Sequence, residues 1–119
     1  MKLEITPELA EVRAVLRRFT AEKLEPLALE IDRTGEVPQA AVELLRKQGY
    51  LGMRLPSEYG GGGFDLPTYC LALEEFARSH RMFTLLLDAT SGLNPIAIAR
   101  YGSDAQKKKY VAGLASGTL

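Results

Sequence analysis

Apolar residues in this chain recur three and four positions apart, and past the N-terminal Met1–Thr6 no alternating apolar–polar run exceeds three or four residues. Leu9, Val12, Leu16 and Phe19, followed by Leu24, Leu27 and Ile31, line one side of a cylinder with helical periodicity. A half-buried strand needs a period of two instead. The spacing therefore predicts an all-α fold, a bundle of four to five helices. The 119 residues suit a single domain at the usual ~100–200 residues per domain.

Capping residues mark where the helices begin and end. Thr6-Pro7-Glu8 opens the first helix with a cap, a proline in the first turn and an acid at the positive dipole end. Pro26 is expected to kink or divide that helix, since it removes an amide and crowds the preceding turn. Asp32-Arg33-Thr34-Gly35 ends it. A second helix is expected over 38–48, with Val37, Ala41, Leu44, Leu45 and Gln48 on one face and Glu43, Arg46 and Lys47 solvated. Gly49 then stops it. Residues 50–59 read as extended loop, followed by four glycines at 60–63.

Asp65 and Pro67 open a third helix, with Tyr69, Leu73, Phe76 and Ala77 inward and Glu74, Glu75 and Arg78 outward. The fourth segment, 82–93, is apolar on every side and reads as buried all round. Pro95 begins another turn or two, to Tyr101, and Gly102 stops it. Ser103-Asp104-Ala105-Gln106 is a capping box for a last helix ending near Ala115.

Charge and cysteine content narrow the partners. Fifteen basic and fifteen acidic residues cancel, leaving no long-range field to hold nucleic acid or an anionic membrane. Cys70 is the only cysteine, so an intrachain disulfide is excluded and a reducing compartment is expected. The N-terminus lacks the apolar run of a secretory leader. The charge-poor stretch 83–99, interrupted by Asp88 and broken by Asn94-Pro95, is shorter than the ~20 residues of a membrane span. A cytoplasmic location follows as an expectation.

Few residues suggest chemistry. The glycine run lacks the Gly-Lys-Ser/Thr or Gly-x-Gly-x-x-Gly context of a phosphate cradle, and Asp65 competes for the same helix-end amides. It reads as a conformationally special loop that lets two helices cross closely. His80, the single histidine, reads as a helix C-terminal residue favoured by the dipole. Cys70 reads as a buried structural thiol, and Lys107-Lys108-Lys109 as a solvated face near a helix C-terminus. There is no Glu-x-x-His, so a di-iron bundle site is not expected. Asp88 stands out as the one charge in a stretch that reads as buried. Such a carboxylate needs a partner: it is either satisfied by a neighbouring helix end or arginine, or it lines a pocket.

An ordered set of segments resembles the flavin-dependent acyl-CoA dehydrogenase family. It comprises Asp32-Arg33-Thr34-Gly35-Glu36-Val37-Pro38, the run from Gly49-Tyr50-Leu51-Gly52-Met53-Arg54-Leu55-Pro56-Ser57-Glu58-Tyr59 through Gly60–Gly63, and Leu73-Glu74-Glu75-Phe76-Ala77-Arg78. Asn94-Pro95-Ile96 and Tyr101-Gly102-Ser103-Asp104-Ala105-Gln106-Lys107 complete it.

The resemblance implies that residues 1–119 are the family's N-terminal helical domain. In the family a β-barrel middle domain and a C-terminal helical bundle follow, holding most FAD contacts and the carboxylate that removes the α-proton. The segment 114–119, at which the chain stops, resembles the entry to that middle domain. The implied reaction is α,β-dehydrogenation of acyl-CoA thioesters in fatty acid metabolism, with FAD as hydride acceptor. The implied contribution of this domain is one wall of the acyl pocket, around Leu87, Asp88 and Ser91, with no catalytic residue of its own. The chain alone is expected to be inert, with an exposed or self-associating apolar face on the fourth helix. Many members carry His where this chain has Asp88, and an acid there disfavours a long plain hydrocarbon unless turned away or paired. Two other readings stand beside this one: a non-enzymatic helical module that binds a protein partner, and an acyl-CoA oxidase or flavin monooxygenase relative.

Overall fold

The computed structural model describes residues 4–119; residues 1–3, part of the stretch read above for a leader, lie outside it. The chain is all-helical among the described residues. Helix α1 (Pro7–Phe19) is capped by the Thr6 side chain, which accepts from the Leu9 amide at 3.2 Å. A π-helical turn, Thr20–Leu24, joins it to α2 (Glu25–Thr34). The division expected at Pro26 is therefore present, made by a π-helical turn. The wider π turn immediately before the proline absorbs the missing amide and the ring's bulk, and Pro26 sits in the first turn of α2. Gly35, with φ +74°, closes α2 in the left-handed conformation.

Helix α3 (Gln39–Lys47) is followed by two short 3₁₀ turns, Tyr50–Gly52 and Ser57–Tyr59. The segment expected as an open extended loop is therefore folded, and it buries Leu51, Met53 and Leu55. Helix α4 (Leu66–Ala77) is capped by Asp65, which accepts from the Thr68 amide at 3.0 Å. Helices α5 (Arg81–Ser91) and α6 (Leu93–Tyr101) meet at Gly92. The Ser103–Gln106 capping box is formed in both directions at the start of α7 (Asp104–Gln106). A π-helical turn, Lys107–Val111, leads into α8 (Ala112–Ser116). The three lysines thus begin in the first half of the last rod rather than near its C-terminus.

The core lies where α4 packs on α1 and α5, and the 3₁₀ turn at 50–52 packs on α3, α5 and α8. Phe19, Tyr50 and Phe76 form an aromatic triangle with ring centroids 5.1–6.0 Å apart. Phe76, Phe83, Leu24, Leu45, Leu55 and Leu87 are fully enclosed, and burying each such side chain contributes about 1.5–3 kcal/mol before the entropy of ordering it.

Glu75 overturns one expectation. It is fully buried rather than outward. Arg17 of α1 grips its two carboxylate oxygens at 2.9 and 3.0 Å, and Arg78 lies 3.6 Å away. Arg17, first of all through its hydrogen bonds, holds the Glu75 carboxyl below the ordinary glutamate range. The pair ties α1 to α4 across the core's edge.

Helix α5 also departs from its sequence pattern. Phe83, Leu87 and Ser91 are buried, but Leu85 is 47% exposed. The 21 residues Arg81–Tyr101 are, by length and composition, long and apolar enough to cross a membrane. Here they are interrupted at Gly92, and Phe83, Leu87, Ser91 and Pro95 are packed inside the bundle.

Candidate functional site

A groove of about 440 Å³ runs between α4 and α5, lined by Leu73, Glu74, Ala77, Thr84, Leu85 and Asp88. Its walls follow from helical geometry. Tyr69, Ala72 and Phe76 turn into the core, so Leu66, Cys70, Glu74 and Ala77, spaced three and four apart, share the outer face of α4. This corrects two expectations: Cys70 is exposed rather than a buried thiol, and Ala77 is exposed rather than part of the core stripe.

The three residues expected around the acyl wall separate. Leu87 and Ser91 point into the domain's own interior and are fully buried. The Ser91 hydroxyl donates to the Leu51 carbonyl, tying α5 to the 3₁₀ turn. Asp88 alone reaches solvent. Its Oδ1 accepts from the Tyr69 hydroxyl at 3.4 Å and lies over Gly92. A Cβ at Gly92 would overlap that carboxylate and the Asp88 carbonyl, so the glycine leaves room for this orientation.

Tyr69 is 4% exposed. Burial first, and then the Asp88 charge, push its phenol up to about 12, so it stays a protonated donor at neutral pH. The Arg54 guanidinium lies over the Tyr69 ring, 5.1 Å from its centroid. Among the described residues no Lys, Arg or His is within ion-pair distance of Asp88. The satisfied-acid expectation is met only by a phenol, not by a helix end or an arginine. Sequence reasoning counted Tyr69 as core packing and missed it as the donor. The two residues lie on different helices, and no short-range motif links them.

The other candidates resolve into structure. The amides of Gly60, Gly61, Gly62, Gly63 and Phe64 donate to the carbonyls of Ser57, Pro56, Gly52, Leu55 and Met53 respectively, at 2.8–3.1 Å. With every amide of the run engaged, it cannot cradle a phosphate. It folds back on residues 52–57 rather than spacing two helices. His80 is the N-cap of α5, not the end of α4: Nδ1 accepts from the Met82 amide at 3.1 Å. The other ring nitrogen, Nε2, therefore carries the proton and donates to Asp32 of α2 at 3.0 Å. Among the described residues no three His, Cys, Asp or Glu side chains converge as metal ligands.

These residues do not by themselves fit FAD. The glycine amides are spent, and the α4 N-terminus is occupied by Asp65. The hollows described are open grooves of about 250–450 Å³.

Comparison with known proteins assigns the fold first to a class and then to a family. Superposition on glutaryl-CoA dehydrogenase from Mycobacterium smegmatis gives a TM-score of 0.83 at 31% identity, covering 95% of this chain and 29% of that one. The helical bundle is therefore that of an acyl-CoA dehydrogenase's N-terminal part. The family model "Acyl-CoA dehydrogenase, N-terminal domain" matches residues 6–118, and the chain belongs to that family. It is 32% identical over 106 residues to a 3-(aryl)acrylate reductase from Clostridium sporogenes, covering 89% of this chain and 28% of that protein. It is 33% identical over 117 residues to a short-chain specific acyl-CoA dehydrogenase from Clostridium acetobutylicum, covering 98% and 31%. The chain thus spans less than a third of the relatives it matches.

Proposed function

We propose that this chain serves as the N-terminal helical domain of a cytoplasmic, flavin-dependent acyl-CoA dehydrogenase and supplies one wall of the acyl pocket through the α4–α5 groove. One observation carries the reading. Leu85 and Ala89 on α5, and Leu93, Ala97 and Tyr101 on α6, are exposed apolar positions four residues apart on either side of the Gly92 break. Leu93 is 78% and Tyr101 84% exposed. Exposed apolar side chains on two successive helices beside a groove mark a surface made to be covered, and the matched relatives are about three times as long as this chain.

In this reading Leu73, Ala77, Thr84 and Leu85 exclude water from an acyl chain, and Asp88 sits at the groove's polar edge. Leu87 and Ser91 act from behind: they hold α5 against the 3₁₀ turn and so set the wall's position. In this reading the acid–base and redox steps fall to residues outside this chain. The family resemblance and the names of the matched relatives support FAD and an acyl-CoA thioester as cofactor and substrate of the whole enzyme.

The test compares the 119-residue chain with the same chain joined to middle and C-terminal domains. The joined protein is expected to retain flavin and to reduce an artificial acceptor when given an acyl-CoA. The short chain is expected to do neither. Stoichiometric FAD on the short chain, or acceptor reduction by it, overturns the assignment.

A further inference from the structure

We propose that the acyl group received by this enzyme carries a hydrogen-bond donor, a hydroxyl or an ammonium, on its tail, and that Asp88 selects for it. This deepens the function proposed above and rests on it. The argument starts from what covering α5 does to Asp88. In the domain alone the carboxylate is solvated and costs nothing. It stands beside the exposed Leu85 and Ala89 and lines the groove with Leu73, Ala77 and Thr84. Any molecule that covers these positions and fills the groove removes water from Asp88 as well.

An ionised carboxylate offers about four lone-pair positions. Among the described residues the one hydrogen bond it receives from a side chain is the long one from Tyr69. Arg54, across the Tyr69 ring, binds the ring face instead of the acid. Desolvating a carboxylate that lacks a cation and has one long bond is expensive unless the incoming group supplies a donor. A plain hydrocarbon supplies none, whereas a hydroxyl or ammonium supplies the missing bond and turns the penalty into discrimination. Tyr69 engages Oδ1 and Gly92 leaves room for it, so Oδ2 is the oxygen left to accept.

The experiment uses the joined flavoprotein and unreactive CoA thioethers, paired as plain and ω-hydroxyl tails of equal length, with dissociation constants measured by calorimetry. The hydroxylated member of the best-fitting pair is expected to bind about tenfold tighter or more, the range of a hydrogen bond to a charged group. Asp88→Leu is expected to reverse the order, and Asp88→Asn to reduce the preference to a few-fold. A wild-type preference for the plain tail, or a preference unchanged in Asp88→Leu, overturns the inference. A preference unchanged in Asp88→Leu would mean that another group selects the hydroxyl. Flavin content and acyl-CoA turnover are measured on the same preparations. If both are absent, the enzyme assignment itself fails and this inference falls with it. If both are present without the expected preference, only the inference falls.

Discussion

Replacing Gly61 by alanine tests whether the glycine run is there for packing. A Cβ at Gly61 would lie inside the van der Waals envelope of the Leu55 carbonyl and 2.7 Å from the Leu55 Cβ. Backbone cannot swing aside as a flexible side chain can, so the loop has to lift. Lifting it breaks the bonds from the Gly62, Gly63 and Phe64 amides to the Gly52, Leu55 and Met53 carbonyls, now 2.8–3.0 Å long. At about 0.5–1.5 kcal/mol each, the loss is about 1.5–4.5 kcal/mol. Partial exposure of Leu55 and Met53, which are nearly inaccessible in the native fold, adds to it. For a chain of this size, about 3–6 °C of melting temperature is lost per kcal/mol. Gly63→Ala is the control. Its φ of +62° strains an alanine, but the added Cβ meets only open space, so the cost is confined to about 1–2 kcal/mol. Circular dichroism melts should rank wild type above Gly63→Ala and Gly63→Ala above Gly61→Ala. A Gly61→Ala protein that melts with wild type, or above Gly63→Ala, refutes the reasoning.

Three further substitutions probe the scaffold. Phe76→Ala removes the ring shared by two aromatic contacts at the centre of the core and should cost about 3–5 kcal/mol, read from urea unfolding midpoints. Ser103→Ala breaks the capping box and should cost about 1 kcal/mol by the same measurement. Glu75→Gln tests the buried ion pair through pH. The folded carboxyl titrates below its ordinary value, so the unfolded chain binds the proton first as pH falls. The pair's contribution is complete above the unfolded pKa, about 4.3, and disappears as pH drops through the lower folded value. Wild-type stability should therefore fall across that acid window, and Glu75→Gln should be weaker at pH 7 with a flatter acid limb.

What the sequence made legible is what local chemistry decides. Thr6, Asp65 and Ser103 cap where their side chains predict, because a cap involves only residues within one turn of it. Glu75 and His80 were misread because their roles are decided at a distance. Glu75 sits among outward-looking charges on its own helix, and its burial depends on Arg17, fifty-eight residues earlier. His80 follows the end of α4, but Asp32 and the Met82 amide make it the start of α5. Residues 50–59 looked extended because 3₁₀ turns carry no periodic signature at three residues each.

The outer face of α5 meets the expectation that the family resemblance implies, an exposed apolar face, and departs from the one the hydrophobic pattern alone suggests, a difference that bears on function. The pattern over 82–93 is apolar on every side, and the sequence reading took that to mean burial on every side. In the folded domain the inner half, Phe83, Leu87 and Ser91, is enclosed, while Leu85 on α5 and Leu93 and Tyr101 on α6 are exposed. Hydrophobic pattern reflects the burial a residue experiences in its working assembly, whereas exposure in an isolated domain reflects only that domain's own contacts. Where the two agree, as at Phe83, the residue belongs to the local core. Where they disagree, as at Leu85 and Leu93, the difference marks the surface awaiting cover. Asp88 lies on the border between the two sets, with Tyr69 below it and the exposed apolar positions beside it. A charge at that border is free in the bare domain and costly in the covered one, so among the groove residues it is the one most able to discriminate between molecules that fill the space above it.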